Sequence, residues 1–169
     1  MPVNGPADWL PLDKGSRAVR RICPCDQWRN PASVRFMKEL FQHAAITNGI
    51  TVRVAVNFMP DQSRVEAGKW FWAYHIRIEN DSPDTVQLLS RHWRITDGRG
   101  MVNLVNGEGV VGETPLLAPG KSHDYVSGCP LDTPHGSMDG FYTFRRLNEG
   151  DIFEVAIPFF PLAAPATAD

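Results

Sequence analysis

The stretch WFWAYHIRIEN, Trp70–Asn80, decides the fold. Read with a period of two, Trp70, Trp72, Tyr74, Ile76 and Ile78 fall on one face, and His75, Arg77 and Glu79 on the other. A helix, which repeats about every 3.6 residues, would scatter both sets around its circumference. Alternation of apolar and polar positions marks an antiparallel strand with one side buried and the other wet.

The same period extends in both directions. In TVRVAVNF (51–58), Val52, Val54 and Val56 share a face. After the turn cluster NDSPDT, the segment VQLLSRHWRITD (86–97) is the next strand, and shorter ones are predicted near 101–106, 122–127, 139–147 and 151–159. DGRG, LAPGKS, CPLDTPHGSMDG and NEGD break the chain between or beside them. About seven strands with a turn signal roughly every ten residues predict an all-β fold, an antiparallel immunoglobulin/fibronectin III-like sandwich over 49–162.

The flanks read differently. Asn30-Pro31 supplies an N-cap and a first-turn proline. Val34, Met37, Phe41, Ala44 and Ala45 then share a helical face, and Asn48-Gly49 is a stop. One short N-terminal helix is therefore expected over 31–48. Residues 1–30 hold prolines and charges without a sustained period and are expected to be irregular or mobile; the tail 163–169 is expected to fray.

A chain of 169 residues and 18.9 kDa suits one domain. Its composition, 43% hydrophobic and 21% charged, is that of a globular protein. A net charge of −2 gives no global field that would steer it to nucleic acid or an anionic membrane, so neither is expected as a partner. Residues 1–36 carry six basic groups against three acidic ones, which leaves −5 for the remainder. With no apolar run long enough to span a bilayer and no signal-peptide h-region, the expected location is the cytoplasm. Three cysteines, Cys23 and Cys25 as a lone C-x-C and Cys129 far away, make neither a disulfide framework nor a paired-knuckle zinc site.

GEGVVG (107–112) spells the G-x-G-x-x-G pattern of a dinucleotide-binding loop. Such a loop needs a helix after it, whose free N-terminal amides hold the pyrophosphate. Glu-Thr-Pro-Leu-Leu-Ala-Pro-Gly follows instead, and two prolines within seven residues forbid that helix. The Rossmann reading is rejected. Two readings stay open: glycines that allow positive φ or close backbone approach, and a helix-free nest of amides for a small anion.

Four segments, QLLSRHWRITDGRG, NGEGVVGETPLLAPG, YVSGCPLDTPHGSMDGFY and FEVAIPFFPL, resemble, in this order and spacing, the ApaG (CorD) domain family. The resemblance runs from about Thr47 to Leu162 and implies a fibronectin type III-like β-sandwich. It further implies a bacterial cytosolic protein associated with Co2+ and Mg2+ efflux; related eukaryotic domains imply a role in protein contact. It brings no catalytic residues. Members of the family begin near the strand equivalent to TVRVAVNF, so residues 1–36 are expected to be an extension or upstream sequence read from another start codon, Met37 being a start of ordinary length.

The candidate site residues follow from the strand pattern. Paired as a hairpin across NDSPDT, WFWAYHIRIEN and VQLLSRHWRITD set Trp72 against Trp93, Ile76 against Leu89 and Trp70 against Ile95. Arg91 then points inward opposite Tyr74. It is expected to be an anchor held by a carboxylate or by loop carbonyls, unless a bulge turns it to solvent. Its functional reading is anion recognition together with Gly107, Gly109 and Gly112. The same register puts His75 and His92 diagonally together on the wet face, a weak candidate for a metal. Phe159 and Phe160 are adjacent, so one is expected in the core and the other at a surface for a protein partner or dimer mate. No nucleophile can be set beside a His–acid pair. The expected function is thus non-catalytic: a protein-interaction or small-anion-binding module tied to divalent-cation homeostasis. No cofactor is expected, a divalent cation or a phosphate anion being the ligand classes left open. The alternative is an enzyme or sensor that binds pyrophosphate or nucleotide phosphates through Gly107–Gly112 and Arg91.

Overall fold

A computed structural model describes residues 41–165 of the chain. Over these residues nine strands form in order: β1 (His43–Thr47), β2 (Ile50–Phe58), β3 (Trp70–Asn80), β4 (Val86–Asp97), β5 (Val102–Glu108), β6 (Leu116–Leu117), β7 (Ser122–Leu131), β8 (His135–Arg146) and β9 (Ile152–Ala163). Two single 3-10 turns, Pro60–Gln62 and Val65–Ala67, lie between β2 and β3. All pairings between strands are antiparallel. One sheet has the order β1-β2-β3-β7 and the other β5-β4-β8-β9, with β6 pairing the start of β4.

The alternation in the sequence sets the layers. Val52 and Val54 of β2 and Trp72, Tyr74, Ile76 and Ile78 of β3 pack inward from the first sheet. Trp93, Met138, Tyr142, Phe144, Val155 and Phe160 meet them from the second. Trp93 is the hub, its ring 5.5 Å from Tyr74 and 6.0 Å from Phe160. Each such side chain contributes about 1.5–3 kcal/mol when removed from water.

The expected seven strands are all present, joined by β1 and the two-residue β6. Two expectations need correction. The C-terminal part of the expected helix, His43–Thr47, is strand β1, paired with β2 from His43↔Val54 to Thr47↔Ile50. Asn48 and Gly49, both at positive φ, form the two-residue connection of that hairpin rather than a helix stop. Residues 31–40 of that helix, the irregular segment 1–30 with Cys23 and Cys25, and most of the expected frayed tail lie outside the described residues; Ala163 still belongs to β9.

The second correction concerns β3 and β4, which are not hairpin partners. They lie in opposite sheets, so the pairs Trp72–Trp93, Ile76–Leu89 and Trp70–Ile95 do not form within a ladder. Alternation shows which side of a strand is buried but not which strand lies beside it, and two strands facing each other across a core show the same pattern as two neighbours. The connection is held as a crossover by Asn80, which is fully buried. Its Nδ2 donates to Asp84 O at 2.7 Å and to Leu117 O at 2.9 Å. Its Oδ1 accepts from Ser82 N at 3.0 Å and from Ser82 Oγ.

β4 carries a bulge between Leu88 and Ser90, where its register against β8 shifts. The extra residue reverses the phase: Leu88, not Leu89, is the buried one, and five residues on Trp93 is buried again. Arg91 is therefore on the inward face together with Trp93.

Candidate functional site

The glycine segment is a tight hairpin. Gly107 and Glu108 end β5; Val110 and Glu113 then form an isolated bridge, with Val110 N donating to Glu113 O at 2.8 Å and Glu113 N to Val110 O at 3.0 Å. The two residues between them, Val111 and Gly112, have φ of 50° and 78°, the left-handed pair that such a turn requires. Gly109 also has positive φ, 57°, and a Cβ there would lie 2.1 Å from the carbonyl oxygen of Glu113. Val110, almost fully buried, pins the hairpin to the core.

Arg91 fastens this hairpin. Its Nη1 donates to the carbonyls of Glu108 at 2.9 Å and Gly109 at 2.8 Å. The guanidinium lies across Gly107, where a Cβ would come within 2.8 Å of it. Of the expected outcomes for Arg91, the loop carbonyls are realised; the bulge is present but leaves the residue facing inward. Beneath it three tyrosines converge. Tyr125 and Tyr142 share a hydroxyl–hydroxyl hydrogen bond of 2.5 Å, and burial raises both hydroxyls and that of Tyr74 above their ordinary range. The nearby Arg91 charge pulls all three back down in part. A shallow cleft beside the turn is lined by Glu108, Gly109, Gly112, Glu113 and Thr114, and so by two carboxylates.

His75 and His92 are not brought together. His75 stands on the outer face of the first sheet with Nε2 2.9 Å from Asp124 Oδ1; His92 is on the outer face of the second. The weak metal candidate fails on this separation, which follows directly from β3 and β4 belonging to different sheets. Among the described residues no group of three or more His, Cys, Asp or Glu side chains is arranged to hold a metal.

His92 sits instead in a cluster that sequence reading did not identify. Its ring stacks on Phe141, centroids 4.4 Å apart; Nδ1 lies 3.0 Å from Asn106 Oδ1, and Nε2 lies 3.0 Å from Ser90 Oγ and 3.3 Å from Thr143 Oγ1. With Nδ1 carrying the proton for Asn106, Nε2 accepts from the two hydroxyls. The only signal in the sequence was Ser90 and His92 two apart on one strand.

Phe159 and Phe160 divide as expected. Phe160 is fully buried, whereas Phe159 is 60% exposed on the outer face of the second sheet, beside Pro158 in a β9 bulge. Cys129 is a buried free thiol, which burial pushes up to about 12. Among the described residues no helix is long and apolar enough to cross a membrane.

These features define an antiparallel β-sandwich domain whose glycine hairpin is fastened from inside by an arginine. The ApaG domain model matches residues 60–146. A Protein ApaG of Methylobacterium sp. (strain 4-46) is 49% identical over 123 residues, 73% of this chain and 94% of that protein; one of Bradyrhizobium sp. (strain ORS 278) is 48% identical with the same coverage. The crystal structure of an ApaA protein from Bordetella pertussis superimposes with a TM-score of 0.67 at 47% identity, covering 70% of this chain and 95% of that one. The chain belongs to the ApaG family.

Proposed function

We propose that the chain is a non-catalytic protein-interaction module acting in the cytoplasm in divalent-cation homeostasis, the Co2+ and Mg2+ efflux association coming from the family resemblance. The observation that carries the reading is Phe159, an aromatic ring 60% exposed next to the fully buried Phe160. Ile152, 64% exposed, lies on the same outer face further along β9. Rigidly presented apolar side chains on a sheet face suit recognition of a protein surface, because little side-chain freedom is lost on binding. The competing reading, an enzyme or sensor of phosphate compounds at Gly107–Gly112, is weakened by Arg91. Its Nη1 is spent on two carbonyls, and Glu108 and Glu113 would repel an anion in the adjoining cleft.

The test is affinity capture from the native cytosol with the wild-type chain and the Phe159→Asp variant in parallel. The expected result is a protein retained by the first and lost with the second, whose unfolding midpoint is unchanged. Equal retention by both would overturn the assignment to this face.

A further inference from the structure

Four strands end the two sheets: β1 and β7 in the first, β5 and β9 in the second. Three of them carry devices that keep another strand from adding. β1 has five residues and lies against β9, whose Ala156 N–H donates to Thr47 Oγ1 at 3.2 Å. β9 contains Pro158, Pro161 and a bulge opposite Asp139. β7 contains Asp124 and Pro130. β5 has no proline, no lysine, no bulge, and no charge before Glu108 at its end. Val102 is 55% and Leu104 66% exposed along it.

Among the described residues its backbone is equally open. Asp97 N donates to Met101 O at 2.9 Å and Gly109 N to Leu89 O at 2.8 Å. Alternate residues of an antiparallel strand bond to the same neighbour. Asn103, Val105 and Gly107 therefore bond to β4, and the N–H and C=O groups of Val102, Leu104 and Asn106 point away from the sheet.

We propose that this edge pairs antiparallel with the same edge of a second copy of the chain, joining the second sheets of the two copies into one continuous layer about a two-fold axis at Leu104. In that register Leu104 faces Leu104 of the second copy and Val102 faces Asn106. Glu108, at the end of β5, then comes to the Asp97–Gly100 turn of the second copy, which carries Arg99, and by symmetry this happens twice. Arg99 and Glu108 stand at opposite ends of the segment, so an antiparallel run brings unlike charges together and a parallel run would not. The contact is the same patch on both copies and closes at two rather than growing into a filament. This dimer leaves the β9 end of the sheet free, so it goes beyond the reading of Phe159 and does not depend on it.

Sedimentation equilibrium of the full chain over a concentration series tests it, with hydrogen exchange as the second measurement. The expected mass moves from 18.9 kDa toward twice that value as concentration rises. Leu104→Lys, which places two ammonium groups on the axis, should weaken the pair about tenfold or more while leaving the unfolding midpoint in place. Phe159→Lys should dimerise as the wild type does. The amides of Val102, Leu104 and Asn106 should exchange more slowly at concentrations where the dimer forms. A single species of 18.9 kDa up to about 1 mM overturns the proposal, as does a dimer unaffected by Leu104→Lys.

Discussion

Arg91 is a charge placed at the edge of an apolar core, and its cost is met by the carbonyls of Glu108 and Gly109. Hydrogen bonds to charged groups each contribute about 1.5–3 kcal/mol, so Arg91→Ala is expected to destabilise the fold by about 2–4 kcal/mol in urea unfolding. Arg91→Lys, lacking the planar fork, should recover only part of that loss. The backbone of the hairpin makes an opposite prediction. Val111, β-branched and exposed, is held at φ 50°, where an L-residue pays roughly 1–2 kcal/mol. Asparagine tolerates this conformation, so Val111→Asn should raise stability by about 0.5–1 kcal/mol. Gly109→Ala should lower it by more than about 2 kcal/mol, because the added carbon would sit 2.1 Å from Glu113 O. That these glycines serve backbone geometry was one of two readings open in the sequence. What the sequence lacked was the register that sets Arg91 directly across from Gly107 in the β4–β5 ladder, a pairing of residues sixteen positions apart that no local pattern specifies.

At the scale of elements, the strands were legible because a period of two is a local property. WFWAYHIRIEN and VQLLSRHWRITD lie where the alternation put them, and FF in IPFFPL divides between core and surface as a pleat requires. Their partners are not legible, since face-to-face strands and hairpin strands carry the same alternation; hence the expected pairs Trp72–Trp93 and His75–His92 do not form. Asn80, whose side chain ties the β3–β4 connection to β6, is hidden in a segment that reads only as a turn. Asn80→Ala would leave the carbonyls of Asp84 and Leu117 without their side-chain donor, with Leu117 itself buried. A loss of about 2–4 kcal/mol is expected in thermal or urea unfolding, against less than about 0.5 kcal/mol for the exposed Leu116→Ala. His43–Thr47 departs from the expected helix for a related reason. A short apolar run fits a helical face as well as a strand, and only pairing with β2 arbitrates.

For the whole molecule, pH acts through the buried acids. Burial raises the hydroxyls of Tyr74, Tyr125 and Tyr142 and pushes the Cys129 thiol up to about 12. In the unfolded chain the same groups ionise at their ordinary values, 9.0 for the thiol and 10.0 for the phenols. Above those values the unfolded state binds fewer protons than the native one, so stability is complete below them and falls as pH rises through the native values. The urea midpoint should therefore decline from about pH 9 upward; a midpoint that holds to about pH 11 would contradict the burial of this cluster. Function is a property of the same scale, since it rests on which surfaces the sandwich leaves open. The glycine hairpin serves the architecture, and in the function proposed above recognition falls to an exposed sheet face. Calorimetric titration of the full chain with pyrophosphate measures this directly. No saturable heat is predicted, and a micromolar isotherm that disappears in Arg91→Lys, with the variant still folded, would contradict it.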